Sequence, residues 1–218
     1  MIISRQKSFI HVAIPRTAST CINVALGSLK HPEPPEHHAT IKEIIDTYPQ
    51  FEHYYKFTFI RNPFDRLVST YFEFRKNRKR RYSGKIKYAE DLLSEFDISS
   101  CDITNFRNFC VNLKNSKWVD DLFFKPQFDY VSVNGENVMD YIGRFEKIEE
   151  DWKNIKHIIQ APNLEKNLPK ASDGSQESKG LYRGSCHPPY QEMYTLAEIK
   201  VVEELYHKDL EYFNYSFS

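Results

Sequence analysis

An α/β fold with a central, mainly parallel sheet flanked by helices is the architecture this sequence predicts. Three observations predict it. Two apolar, partly β-branched runs, Phe9–Ile14 and "YYKFTFI" ending just before Arg61, have the length and composition of buried strands. Each passes within a few residues into a segment with helical apolar spacing. A further strand followed by a helix reads near Val138–Ile142 and Glu149–Ile159. Strands alternating with helices make crossover units, and crossover units make parallel sheets.

In chain order, Phe9 begins the first strand, after a short polar start from Met1 to Ser8. Cys21–Leu29 follows as a helix, with Ile22, Ala25, Leu26 and Leu29 on one face. Three prolines in "KHPEPPEHH" break regular structure. Thr40 or Ala39 opens a short helix, "TIKEIIDTY". After the second strand, Asn62 is a good cap and Pro63 suits a first helical turn, so a helix is expected from Pro63 to about Asn77. Helical patterns recur near Tyr88–Phe96 and Ile103–Leu113. The stretch from Phe124 to Glu146 reads as extended segments around a turn at Asn134-Gly135. A long polar loop precedes one last helix, Tyr190 to about Phe213.

The 218 residues suit a single domain spanning 1–218, and no internal repeat is visible. Thirty basic and thirty acidic side chains give zero formal net charge, which removes a global basic field and argues against a nucleic-acid partner. Anion binding must therefore come from local clusters. One such cluster, Arg75 to Lys87, carries eight lysines and arginines and reads first as a solvated face. The cysteines form neither a CxxC pair nor metal-ligand spacing, so free thiols and no metal are expected. No apolar run reaches the roughly 18 residues of a membrane span. A cytoplasmic protein is the expectation, with a lumenal catalytic domain lacking its anchor as the alternative.

The chemistry starts at "IPRTASTC". A strand that delivers its chain into a helix N-terminus points unpaired N–H groups and a positive dipole end at one spot. This loop adds Arg16 and the hydroxyls of Thr17, Ser19 and Thr20. That is phosphate- or sulfate-binding chemistry, but the ATP-type pattern G-x-x-x-x-G-K-[ST] is absent. An ordinary capped helix would show the same residues, and the loop by itself leaves both readings open.

"IPRTAST" resembles the 5′-phosphosulfate-binding loop of sulfotransferases, P-K-T-x-x-T/S, and is close to the form found in carbohydrate uronyl 2-O-sulfotransferases. "FTFIRNPFDRLVSTYFEFR" is similar to that family's 3′-phosphate motif. "DYIGRFEKIEEDWKNI" and the ending "DLEYFNYSF" resemble its later segments, so the likeness spans nearly the whole chain and is weakest from Tyr82 to Phe124. It implies a fold of the P-loop-like nucleoside-triphosphate-hydrolase type. It also implies a donor, 3′-phosphoadenosine 5′-phosphosulfate, and an acceptor hydroxyl on a glycan or small alcohol. No metal is called for.

Residue by residue, the likeness places Arg16, Thr17, Ala18, Ser19, Thr20 and Cys21 around the 5′-phosphosulfate. Arg61 and Ser69 go to the 3′-phosphate, and Lys179, Gly180 and Arg183 to a loop over the nucleotide, with Lys170 and Ser172 as candidates for the same task. Gln127 resembles a recurrent glutamine on the acceptor side, and Arg144 and Glu146 read as structural. The family usually carries lysine where this chain has Arg16. Arginine supplies charge and a bidentate grip but is a poor proton donor. A neutral imidazole suits removal of the acceptor proton. His38, between the two motifs, is the candidate base, with His37, Glu36 and Glu43 behind it. Three rivals remain: a homologue that binds the nucleotide without turnover, an ATP-dependent kinase of related fold, and a basic interaction module built on Arg75 to Lys87.

Overall fold

The computed structural model describes residues 1–29, 38–78, 103–164, 168 and 187–218. They fall into two compact units. Residues 1–29, 38–61, 127–164 and 168 form the first, and residues 62–78, 103–126 and 187–218 the second.

The first unit holds a four-stranded sheet in the order β1 (Ile2–Ser4), β2 (Phe9–Val12), β3 (Tyr55–Ile60), β6 (Tyr141–Arg144). β1 is antiparallel to β2, while β2–β3 and β3–β6 are parallel, with Val12 opposite Thr58 and Ile60 opposite Arg144. This is a mixed α/β architecture with a mainly parallel sheet, as the alternation of strands and helices implies. β1 was not expected. Three residues are too few to show a period, yet Ile2, Ile3 and Ser4 are all buried.

Two helices follow the first strands: α1 (Ser19–Ala25), which gives way to a 3₁₀ turn at Gly27–Leu29, and α2 (Ile41–Thr47). α2 opens on a reciprocal cap: Thr40 Oγ1 accepts from the Glu43 N–H, and Glu43 Oε2 accepts from the Thr40 N–H at 2.7 Å. Glu43, kept as a fallback base, is thereby engaged in capping.

α5 (Gln127–Val131) corrects the extended reading of that stretch. Gln127, Phe128, Tyr130 and Val131 are buried, and burial on nearly every side hides the helical period in a five-residue piece. A hairpin then pairs β4 (Ser132–Val133) with β5 (Glu136–Asn137) around the expected turn. Asn134 and Gly135 have φ of 53° and 82°, the left-handed pair that a two-residue hairpin requires.

After β6, α6 (Ile148–Ile158) presents Ile148, Trp152 and Ile155 to the core at i, i+4 and i+7. Glu149, Glu150 and Asp151 in its first turn and Lys156 and His157 in its last complement the helix dipole. Asp151 fastens the helix to the strand. Its carboxylate accepts from Tyr141 Oη at 2.6 Å and from the Arg144 N–H at 2.7 Å. Desolvation, then the bond to Asp151, pushes the Tyr141 phenol up to about 12.

The glycine of "YIGRFE" also has a packing reason. A Cβ on Gly143 would lie 2.6 and 2.7 Å from the Phe59 ring and 3.1 Å from Asp151 Cβ. Gly143→Ala is expected to cost about 1–3 kcal/mol through overpacking. Urea unfolding checks this, and an unchanged midpoint would refute the contact.

In the second unit, α3 (Pro63–Arg78) starts as expected, with Asn62 Oδ1 accepting from the Phe64 N–H at 3.0 Å. Arg66 is 2% exposed, and its guanidinium donates to the carbonyls of Lys125 and Phe123 at 3.0 and 3.2 Å. α4 (Ile103–Leu113) matches its expected limits. The closing helix does not. It divides into a 3₁₀ turn at Tyr190–Met193, α7 (Leu196–Leu205) and α8 (His207–Phe213). Thr195 adopts an extended conformation and forms a capping box with Glu198, which restarts the helix. An aromatic core gathers Phe64, Tyr71, Phe106, Phe109 and Tyr194. Burial raises the Cys110 thiol, so it stays protonated. Among the described residues, no helix is long and apolar enough to cross a membrane.

Candidate active site

The loop between β2 and α1 is turned by two residues that are not glycine. Arg16 and Ala18 have φ of 70° and 62°, in the left-handed region. Holding non-glycine residues there costs on the order of 1–2 kcal/mol each, and such strain concentrates at functional sites. Ala18 is the N-cap of α1 and supplies no side-chain cap. α1 also carries no acidic residue in its first turn, unlike α2 with Glu43 or α6 with its three acids. The first turn of α1 thus carries neither an N-cap side-chain bond nor a carboxylate, only the hydroxyls of Ser19 and Thr20.

The loop's side chains divide by depth. Thr17 is 1% exposed, and its hydroxyl donates to the Ile14 carbonyl at 3.0 Å. That proton is engaged, so the Thr17 hydroxyl braces the turn. Ser19 and Cys21 are buried, Cys21 outside any disulfide, and Thr20 is exposed at the surface of the first turn. Beneath the loop, His11 is buried on β2. It stacks on Phe57 at 5.1 Å between centroids and bonds Asn23 Oδ1 through Nδ1 at 3.0 Å. Sequence reasoning missed this brace because a histidine inside an apolar strand carries no signal of its partner.

Two candidate residues converge on the loop's main chain. His38 Nδ1 lies 2.6 Å from the Ala13 carbonyl, at the end of the strand that feeds the loop. A carbonyl oxygen only accepts, so Nδ1 carries a proton, and in the neutral form of the ring the basic lone pair is then on Nε2. Arg61, 2% exposed, donates from Nη1 to the Arg16 carbonyl at 3.3 Å. Its guanidinium also lies 4.0 Å over the Phe145 ring. Phe145, in the "IGRFE" segment, is a second residue that sequence reasoning missed; its motif was visible but its contact was not.

Gln127 resembles a family glutamine of the acceptor side. In the structure it is fully buried and clasps the backbone of Arg61. The Arg61 N–H donates to Gln127 Oε1 at 2.9 Å, and Gln127 Nε2 donates to the Arg61 carbonyl at 2.8 Å.

Ser69 lies on α3 in the second unit, 4% exposed. His37, Glu36, Lys170, Ser172, Lys179, Gly180 and Arg183 lie outside the described residues, as do Tyr88–Phe96 and most of the basic run. Among the described residues, no group of three or more His, Cys, Asp or Glu side chains could hold a metal ion.

The strand–loop–helix turn, the buried Arg61 guanidinium bonded to its backbone and the His38 imidazole at its root all lie in the one α/β unit. A family model described as "Sulfotransferase family" matches residues 1–216. The chain belongs to the sulfotransferase family, a family of sulfuryl-transferring enzymes. Comparison with curated proteins found no match, and comparison with solved structures found none.

Proposed function

We propose that this protein transfers a sulfuryl group from 3′-phosphoadenosine 5′-phosphosulfate to a hydroxyl of a carbohydrate acceptor, on a nucleotide fold of the P-loop-like type. The observation that carries the reading is the bond from His38 Nδ1 to the Ala13 carbonyl, which sets a basic imidazole nitrogen at the root of the anion loop.

The residues present fit such a donor. The left-handed turn at Arg16 and Ala18, the uncapped start of α1 and the Ser19 and Thr20 hydroxyls form a cradle for the 5′-phosphosulfate. Arg61 supplies a fixed cation for the 3′-phosphate. The bound donor brings the sulfuryl group and a phosphate leaving group. His38 Nε2 accepts the proton of the attacking hydroxyl, and the Nδ1 bond holds the ring in the tautomer that can do so. Arg16 stabilises negative charge without giving up a proton, since guanidinium stays charged. Positioning and preorganised electrostatics supply most of the rate, as in phosphoryl transfer.

Transfer of radiolabelled sulfate from the donor, screened over glycans and small alcohols, tests the proposal directly. Tight binding of adenosine 3′,5′-bisphosphate with no transfer to any acceptor would favour a non-catalytic binder, the rival that Arg16 in place of lysine makes concrete. Arg61→Ala is expected to lose about 1.5–3 kcal/mol of bisphosphate binding, the range for a charged hydrogen bond. Calorimetry reads this as a roughly 10- to 100-fold weaker Kd, and an unchanged Kd would remove Arg61 from the site.

A further inference from the structure

β3 ends its pairing at Ile60, opposite Arg144. The next residue, Arg61, is 2% exposed, so its peptide groups have no water to turn to. The Gln127 side chain meets both of them. Its Oε1 takes the N–H at 2.9 Å and its Nε2 gives to the carbonyl at 2.8 Å. A primary amide offers the same donor and acceptor as a peptide, so Gln127 acts as one further rung beside the strand. No other side chain of that length does this. Glutamate cannot donate when ionised, methionine can do neither, and asparagine is one methylene short.

The consequence falls on the guanidinium. Arg61 is held at the backbone by Gln127, at its face by Phe145 and at Nη1 by the Arg16 carbonyl. The ring and the carbonyl fix where the head sits only if the Cα–Cβ bond leaves the backbone in the right direction. Free rotation of that peptide would swing a head several bonds away by ångströms, enough to lose a directional bond to a phosphate oxygen.

We infer that Gln127 is a positioning residue for Arg61, holding its peptide so that the guanidinium meets the 3′-phosphate of the donor nucleotide. This rests on the assignment of Arg61 to that phosphate. Gln127 acts through Arg61 and touches no reacting atom. It gives the nucleotide site selectivity for a 3′-phosphorylated adenylate over a plain 5′-adenylate.

The test is calorimetric and uses the full chain. Adenosine 3′,5′-bisphosphate and adenosine 5′-monophosphate are titrated into wild type and Gln127→Met, with thermal unfolding recorded for each. Wild type is expected to bind the bisphosphate roughly 10- to 100-fold more tightly, the increment of an arginine–phosphate contact. Gln127→Met is expected to bind the monophosphate as wild type does and to lose about tenfold or more of the bisphosphate's advantage. In an Arg61→Ala background the same substitution is expected to change that advantage no further, which shows that the two residues act as one unit. If Gln127→Met does not fold, Gln127→Glu, which keeps the acceptor for the Arg61 N–H, carries the same comparison. An advantage left intact, or an equal loss for both nucleotides, overturns the inference and leaves Gln127 a packing residue. A wild type with no preference at all overturns the assignment of Arg61 first, and the role of Gln127 falls with it.

Discussion

Replacing His38 by alanine is expected to lower turnover on a true acceptor by roughly 10²- to 10⁴-fold, the usual contribution of a positioned general base. Nucleotide binding is expected to stay within a factor of a few, because His38 is proposed to meet the acceptor proton and not the donor. His38 also bonds the Ala13 carbonyl, so alanine removes a brace together with a base. His38→Asn separates the two. A side-chain amide can donate toward that carbonyl but has no basic nitrogen. If the proposal holds, His38→Asn folds and binds nucleotide normally and is as slow as the alanine variant. Turnover at the wild-type rate in His38→Asn would move the base to another residue and leave His38 a structural tie.

Trp152→Ala is expected to cost about 3–5 kcal/mol of stability, as large-to-small changes of buried aromatics do. Trp152 is fully buried on α6, in the cluster that contains Phe57, Phe59, Phe145 and Ile155. Against a total of about 5–15 kcal/mol for a domain, that is a large share. The cavity would open in the cluster that also holds Phe145, the ring beneath Arg61, so bisphosphate affinity is expected to fall as well if the proposed site is right. Urea unfolding gives the first number and bisphosphate titration the second. A loss under about 1 kcal/mol would mean that the indole is not enclosed as described.

Much of the sheet could be read from the chain because its strands obey local rules. Phe9–Val12 and Tyr55–Ile60 are apolar runs of strand length, and the helices after them announce themselves through spacing and, at Asn62, a cap. The same rules fail where the signal is short or lies elsewhere in the chain. β1 is three residues long, and α5 is buried on most sides. The break at Thr195 coincides with a Thr-x-x-Glu box that sequence reasoning passed over in favour of one helix from Tyr190 to about Phe213. For the site, the identities of Arg16, Arg61 and His38 were legible as residue types in a suggestive order. Their contacts were not. Nothing local says that His38 reaches Ala13, that Arg61 stacks on Phe145, or that Gln127 holds the backbone of Arg61, because each pair joins residues 25 to 84 positions apart.

The clasp between Arg61 and Gln127 has a further meaning for how such a chain can diverge. The chain departs from the sheet-bearing unit at Arg61 and re-enters it at Gln127, so both ends of the intervening excursion are knotted at one point. Closing a longer loop between fixed ends adds only slowly to the entropic cost. Insertions and deletions in the excursion therefore exert little pull on β3 or on the turn at Arg16. A lineage built this way can rewrite much of that stretch while β3 and the turn at Arg16 are inherited unchanged.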